Sequence, residues 1–208
     1  MSLTLADRVA AYLDSHTTLN LATTGPAGLW VAAVLYVHEG SQLYFTSVGV
    51  TRHGQNLRAT GVAAGTINDD CTSWLAMKGI QLEGTVAAVD GVGERARVAA
   101  AYLRRYPFAA ALWHGETDPV RIAVDPGTHG FFCLTPTRMY FMDNEHHPEG
   151  REEVPLSSAL ALPPNAAPPA VIVPPSAAPP AVIIPPLAAP PAVIVTPPTA
   201  PPGRDAPR

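Results

Sequence analysis

The sequence predicts a small, mainly antiparallel β-barrel followed by a proline-rich tail. About six strand-like segments occur within residues 1–154, with few helices between them. Tight turns separate the first three segments, which is typical of an antiparallel meander, and closing such a sheet into a barrel removes its unpaired edges. Of the 24 prolines, 18 fall between Pro155 and Arg208, so residues 1–154 form the stretch expected to be globular.

The individual elements are predicted from the spacing of apolar residues. A first helix begins after Thr4, because apolar residues recur at helical spacing from Leu5 to Leu13 and Asp7 completes a capping box with Thr4. The next elements are predicted as strands at 18–23, 30–37 and 43–46, a short helix from Thr51 to about Ala59, strands at 62–68 and 79–89, a helix at 94–105 and a strand at 130–142. Pro136 is expected to break or bulge the last strand, because proline cannot donate a ladder hydrogen bond.

Charge and cysteine content exclude several classes of protein. The formal net charge is −4, with twelve arginines and one lysine, and no block of basic residues suggests a nucleic-acid or membrane surface. Cys71 and Cys133 lie far apart and outside any metal-ligand spacing, which favours a reducing compartment. No run of residues approaches the roughly 20 apolar positions needed to cross a bilayer. We therefore expect a soluble, cytoplasmic protein.

The tail, residues 155–208, is predicted to be disordered and contains three repeats of eleven residues. The repeated unit is seen at Ala166–Val173, Ala177–Ile184 and Ala188–Val195. Doubled prolines in each unit oppose helix and sheet and favour extended polyproline II. Two interpretations stay open: a low-complexity linker without a specific role, and a docking segment whose Val-Ile pairs meet the aromatic groove of a protein partner.

The most informative segment joins a strand to the start of a helix. The strand Leu43–Thr46 is followed by a loop from Ser47, and the helix begins at Thr51. Free backbone N–H groups and the positive end of the dipole at a helix start attract an anion. Arg52 and His53 supply further donors suited to phosphate. The alternative is an ordinary N-cap at Thr51 followed by two solvated polar residues.

This segment resembles a known family. Tyr44–Ser47 followed by Thr51–Leu57 is similar to the part of the pyridoxamine 5′-phosphate oxidases in which an Arg-Lys pair holds the FMN phosphate, with His53 in place of lysine as in a sister group of small FMN-binding split barrels. Ala32–Tyr36 resembles the strand whose backbone lies along the isoalloxazine ring. Two further stretches resemble later strands of that family, Trp74 with Lys78–Gly84, and Phe131–Asn144.

The resemblance implies a six-stranded antiparallel split β-barrel of the FMN-binding type, with flanking helices. It also implies a homodimer with FMN in the cleft between protomers, and a flavin-dependent oxidoreductase acting on a small molecule or a nicotinamide. No residue qualifies as a dedicated acid or base, so no catalytic residue is named. The residues expected to bind the cofactor are Val34, Phe45, Thr46, Ser47, Thr51, Arg52, His53 and Gln81.

The departures from the family pattern limit the expected function. Ala32 replaces an arginine, Gly79 replaces the glutamine that touches the flavin, and Gln81 is the substitute on the same face of the strand. The basic group that grips pyridoxamine phosphate is replaced by Asp143–His147, so that substrate is not expected, and adjacent histidines in a strand would chelate a metal poorly. The alternatives left open are a non-catalytic flavin carrier or sensor and a barrel that binds heme or a deazaflavin.

Overall fold

The computed structural model describes residues 3–156. Within them the helices are α1 (Leu5–Ser15), α2 (Arg52–Thr60), α3 (Val92–Arg105), a 3-10 helix (Pro107–Trp113) and α4 (Pro119–Val124). The strands are β1 (Thr18–Thr23), β2 (Trp30–Glu39), β3 (Gln42–Val48), β4 (Val62–Asn68), β5 (Lys78–Ala88), β6 (His129–Asp143) and β7 (Arg151–Glu153). None of the helices in this part of the chain is long and apolar enough to span a membrane.

The strands form a closed, antiparallel, six-stranded barrel, which confirms the predicted fold. The order is β3-β2-β1-β4-β5-β6, and β6 pairs back with β3 to close the barrel. The length of β6 makes the closure possible: its first half pairs with β3 from Leu43↔Leu134 to Val48↔His129, and most of the strand pairs with β5. The short strand β7 pairs with the last residues of β6.

A bulge interrupts the β5–β6 ladder where Pro136 was expected to disturb it. Glu83 pairs with Arg138 and Gly84 with Pro136, so Thr137 is the extra residue on β6. The Thr137 hydroxyl donates to the Glu83 carbonyl over 3.2 Å. A Cβ on Gly84 would lie 2.2 Å from the Thr135 carbonyl oxygen, so glycine is required for the two backbones to approach.

Apolar side chains form two clusters on either side of the barrel wall. The larger cluster fills the interior and includes Leu19, Phe45 and Phe141, with Val9 and Leu13 of α1 packed on it. The second cluster lies between the outer face of the sheet and the later helices, and its members include Val37, Tyr44, Tyr102, Trp113 and Phe131. Successive side chains of β3 point to opposite faces of the sheet, so Phe45 packs in the first cluster and Tyr44 in the second.

Helix α1 is held at both ends. The predicted capping box is present: the Thr4 side chain accepts from the Asp7 amide, and the Asp7 carboxylate accepts from the Thr4 amide at 3.0 Å. At the other end, Arg105 Nη2 donates to the carbonyls of Leu13, Asp14 and His16 over 3.2, 2.8 and 2.5 Å. A cation at the C-terminal end of a helix is favourable for its dipole. The C-terminus of α3 therefore anchors the C-terminus of α1.

The sequence analysis missed the 3-10 helix, α4 and β7. The sequence predicts that the domain ends at Val154, and the side chains of Val154 and of Leu156, two residues further on, pack against the barrel interior. The Val154 amide donates to the Met139 carbonyl over 2.8 Å. Apart from Pro155 and Leu156, the tail that the sequence predicts to be disordered lies outside the described residues.

Candidate functional site

Three of the predicted site residues meet where β3 leads into α2. Ser47 Oγ lies 2.7 Å from His53 Nε2 and 3.0 Å from Thr51 Oγ1. Ser47 is buried because it shares the inward face of β3 with Phe45. Thr51 Oγ1 donates to the Val48 carbonyl over 2.8 Å, so the loop between strand and helix is closed on itself. We call Ser47, Thr51 and His53 the hydroxyl–imidazole cluster.

One tautomer of His53 leaves the cluster a donor for an oxygen outside it. Burial lowers the pKa of His53, so the imidazole is neutral at pH 7. If Nδ1 carries the proton, Ser47 donates to Nε2 and the Nδ1–H group is left to donate elsewhere. If Nε2 carries the proton, it donates to Ser47, and the Ser47 hydroxyl donates to Thr51 Oγ1, because the Thr51 proton is already on the Val48 carbonyl. The tautomer with the proton on Nδ1 is therefore the one that can donate to an anionic oxygen.

The start of α2 adds backbone donors to this cluster. Thr51 is the N-cap, and its hydroxyl accepts from the Gly54 amide over 3.2 Å. The turn leaves no room at Gly54, since a Cβ there would lie 3.0 Å from both Thr51 Oγ1 and the Val48 carbonyl oxygen. Amides in the first turn of a helix have no partner within the helix, and they lie at the positive end of its dipole.

Arg52 points away from the hydroxyl–imidazole cluster, toward the loop between β1 and β2. Its Nη2 donates to the carbonyls of Ala27 and Leu29, the second over 3.1 Å. Its guanidinium lies 4.8 Å from the centre of the Trp30 ring, in cation–π geometry. Its Nε is buried and has no hydrogen-bond partner within residues 3–156. Arg52 is thus adjacent in sequence to the predicted phosphate donors, but its guanidinium contacts the loop carbonyls and Trp30.

Asn56, which the sequence analysis did not select, holds the same loop. Its side chain is buried, and Nδ2 donates to Thr23 Oγ1 over 3.2 Å. A Cβ on Gly25 would lie 2.2 Å from Asn56 Oδ1, so the loop backbone approaches this side chain closely. The signal that could have found it is helical spacing, because Asn56 follows Arg52 by four residues and lies on the same side of α2.

The other predicted residues lie elsewhere in the barrel. Val34 and Phe45 are buried in the interior cluster, where Phe45 stacks on Phe132 at a centroid distance of 5.5 Å. Thr46 faces the opposite side of β3 and its amide donates to the Tyr102 hydroxyl over 3.2 Å. Gln81 lies on β5, where its Oε1 accepts from Arg151 over 2.5 Å.

A second polar group surrounds Asp143, whose side chain is only 2% exposed. Burial raises the pKa of Asp143, but hydrogen bonds from His146 and Lys78 outweigh it and leave the pKa below its usual value. The ligand atoms of Asp143, Glu145 and His146 lie within 4.8 Å of one another. Lys78 Nζ lies 3.3 Å and Arg8 Nη1 3.8 Å from Asp143 Oδ2, so cations already neutralise this carboxylate.

The histidine pair of this region lies in a different place from the one expected. His146 lies in a turn beyond the end of β6, and His147 follows it, so the argument from opposite faces of a strand was wrong. The amides of both residues donate to the Asp143 carbonyl, over 3.1 and 2.8 Å. This turn directs the His146 ring onto the Asp143 carboxylate at 3.1 Å.

Comparison with known proteins places the fold. No model of an established protein family matches the sequence. Among solved structures, a heme binding protein from Mycobacterium smegmatis superposes with a TM-score of 0.61 at 19% identity, covering 77% of this chain and 62% of that one. A candidate pyridoxamine 5′-phosphate oxidase from Listeria innocua superposes with a TM-score of 0.52 at 14% identity, covering 67% and 99%.

A curated relative shows the family. The UPF0306 protein KPN78578_35330 of Klebsiella pneumoniae is 32% identical over 109 residues, which are 50% of this chain and 72% of the relative. The solved structures share the barrel at lower identity, including the pyridoxamine 5′-phosphate oxidase-like protein of Listeria. The chain therefore belongs to the UPF0306 family, and its fold is the split barrel of the pyridoxamine 5′-phosphate oxidase-like proteins.

Proposed function

We propose that this protein binds FMN and acts as a flavin-dependent oxidoreductase on a small molecule or a nicotinamide. The observation that carries the proposal is the hydroxyl–imidazole cluster at the start of α2. Ser47, Thr51 and His53 converge within 3.3 Å of one another beside the amides of the first helical turn. Such a set of donors suits the phosphate of FMN.

The residues present fit a phosphate-bearing cofactor. In the free protein the donors are neutral hydroxyls, a neutral imidazole and backbone amides, a set that suits phosphate oxygens. The hydrogen bond from the Gly54 amide holds the Thr51 hydroxyl at the helix start. When bound, FMN would supply the hydride chemistry, and the protein would bind and orient it.

The proposal includes a homodimer that completes the cofactor site. The outer face of the sheet exposes apolar side chains, and Val31 is 61% and Val62 45% exposed. Strand register places Val31 opposite Ala22, which in turn lies opposite Ala64, so these small apolar residues form a continuous strip across β2, β1 and β4. Exposed apolar strips of this kind are typical of interaction sites between proteins.

The proposed substrate is not pyridoxamine phosphate. The cations near Asp143–His147, the segment that replaces the basic group of the related enzymes, are already engaged. Lys78 and Arg8 pair with Asp143, and Arg151 has partners of its own. Its guanidinium stacks over the Tyr140 ring at 4.5 Å and donates to Gln81. The neighbouring carboxylates of Glu152 and Glu153 disfavour a doubly charged phosphate.

Heme binding is a second candidate, which the comparison favours. A structural neighbour with the same fold is a heme binding protein from Mycobacterium smegmatis. His146, with a side chain 60% exposed, is an imidazole available on the surface near the barrel. A non-catalytic flavin carrier remains the alternative within the flavin class.

The absorbance spectrum of the purified protein tests these proposals. We expect flavin bands, and we expect mass spectrometry of the acid-released compound to identify FMN. Bleaching of these bands by NADH or NADPH without oxygen would support the oxidoreductase, whereas a stable oxidised flavin would favour the carrier. A Soret band in place of flavin bands would favour heme and contradict the leading proposal.

A further inference from the structure

Helix α2 holds both the backbone and the ring of Trp30. Asn56 Nδ2 donates to Thr23 Oγ1, and that hydroxyl donates to the Trp30 carbonyl over 3.4 Å. Arg52 covers one face of the indole at 4.8 Å and holds the carbonyls of Ala27 and Leu29 on the preceding loop. Helix α2 thus contacts the Trp30 ring through Arg52 and supports the Trp30 backbone through Asn56 and Thr23.

The held indole is still accessible. Trp30 is 43% exposed although Arg52 lies over its ring. A surface tryptophan fixed in this way offers a rigid apolar face, and a planar ring system gains binding energy by stacking on it. Trp30 is the first residue of β2. The arginine that contacts its ring, Arg52, is followed directly by His53 in α2, so one helix start carries both the contact to the indole and a member of the hydroxyl–imidazole cluster.

We propose that Arg52 is a positioning residue, which holds Trp30 so that the indole contacts the planar ring of the bound flavin. Ser47, Thr51 and His53 then hold the phosphate without it. This inference rests on the proposed function, and it separates recognition of the ring from recognition of the phosphate. Arg52 acts on the ligand through Trp30.

The alternative is a direct contact between Arg52 and the phosphate. It predicts a different effect of Arg52→Ala on the affinities for FMN and riboflavin. Riboflavin carries the same ring as FMN and lacks the phosphate. A residue that acts through the ring therefore affects both ligands equally, whereas a phosphate ligand affects FMN alone. The ratio of the two affinities decides between these roles.

The experiment titrates full-length apo protein with FMN and with riboflavin, following flavin fluorescence. For Arg52→Ala and Trp30→Ala we expect affinity for both ligands to fall by the same factor, about threefold to tenfold, the scale of an aromatic contact. Trp30→Phe is expected to retain most of the affinity lost in Trp30→Ala. For Ser47→Ala we expect about a tenfold or greater loss for FMN alone, with Ser41→Ala as a control in the turn after β2.

Visible circular dichroism of bound riboflavin adds a signal from the ring environment. We expect this spectrum to change in Arg52→Ala and Trp30→Ala and to stay unchanged in Ser47→Ala. A loss of FMN affinity in Arg52→Ala with riboflavin affinity preserved would overturn the positioning role. Unchanged affinities for both ligands in Trp30→Ala would overturn the ring contact.

Hydrogen exchange without ligand separates failure of this inference from failure of the proposed function. We expect amides of the loop at 25–29 to exchange faster in Arg52→Ala than in the unaltered protein. Unchanged exchange would overturn the positioning role while the phosphate site stands. Binding of neither flavin by the unaltered protein would overturn the proposed function and the ring contact together.

Discussion

At the scale of single residues, the buried imidazole of His53 beside Ser47 leads us to expect that the proposed FMN binding depends on pH. Burial lowers the pKa of His53, so the free protein holds this imidazole neutral at pH 7. A bound phosphate dianion favours the imidazolium and raises that pKa. Binding therefore takes up a proton wherever the pH lies between the pKa values of the free and bound states.

We accordingly expect FMN affinity to fall as the pH rises through the pKa that His53 has in the complex. Dissociation constants measured between pH 5 and 8 check this, and His53→Gln is expected to show a flatter dependence. The phosphate of FMN itself titrates at a pH of about 6, so the comparison is between the two proteins at each pH. Parallel curves would show that His53 does not face the phosphate.

Contacts between residues that are far apart in the sequence are the part of the site that sequence reasoning could not predict. The strand–loop–helix pattern correctly brought Ser47, Thr51 and His53 together, because those contacts span few positions. The position of Arg52 depends on carbonyls that lie 25 and 23 residues away, which no local pattern reports. Gln81 likewise contacts Arg151 through the pairing of β6 with β7.

At the scale of secondary-structure elements, the spacing of apolar residues predicted the strands in which buried and exposed residues alternate. It did not predict the shortest elements. Strands β1 and β4 have the predicted bounds because every second residue of each is buried. The three residues of β7 are too few to show a period, and they form a strand by pairing with β6. The 3-10 helix and α4 have seven and six residues, again less than a pattern needs.

The bulge between β5 and β6 yields a prediction at this scale. In Gly84→Ala the new Cβ would lie 2.2 Å from the Thr135 carbonyl oxygen and 2.7 Å from Pro136 Cα. Because both are backbone atoms, the ladder must separate, and we expect a loss of about 2–4 kcal/mol in the free energy of unfolding. Urea unfolding measures it. Gly130→Ala is the matched control on β6, where nothing lies within 4 Å of the new Cβ.

The contact between the C-terminal ends of α1 and α3 yields a second prediction at this scale. Arg105→Ala removes the donors to three carbonyls at the end of α1, and we expect a loss of about 2–3 kcal/mol in the free energy of unfolding. Hydrogen exchange in α1 should increase with it. Arg121→Ala is the control, since within residues 3–156 the side chain of that exposed arginine forms only two surface ion pairs, each worth well under about 1 kcal/mol. Equal losses in both variants would contradict the anchoring role.

At the scale of the whole molecule, the exposed strip on the sheet predicts how protomers associate. Val31→Asp places a charge at the β2 end of the proposed dimer strip, where burial without a partner is costly. We expect light scattering to show a monomer for this variant and a dimer for the unaltered protein. Val124→Asp is the control, because Val124 is 66% exposed on α4 and not part of that strip. A dimer that survives Val31→Asp would contradict the proposed interface.

At the same scale, contacts of β7 and Val154 define the end of the folded domain. Val154 is 2% exposed and donates to the Met139 carbonyl, while Glu152 pairs with Arg8 at 2.6 Å. Truncation after Gly150 removes these contacts, and we expect it to lower the free energy of unfolding by about 2–4 kcal/mol. Truncation after Leu156 keeps every one of them and removes only residues 157–208, so we expect an unchanged midpoint in urea. Because the two truncations differ by six residues, the comparison isolates β7 and Val154 from the tail. A large loss on truncation after Leu156 would show that residues 157–208 contribute to the stability of the barrel.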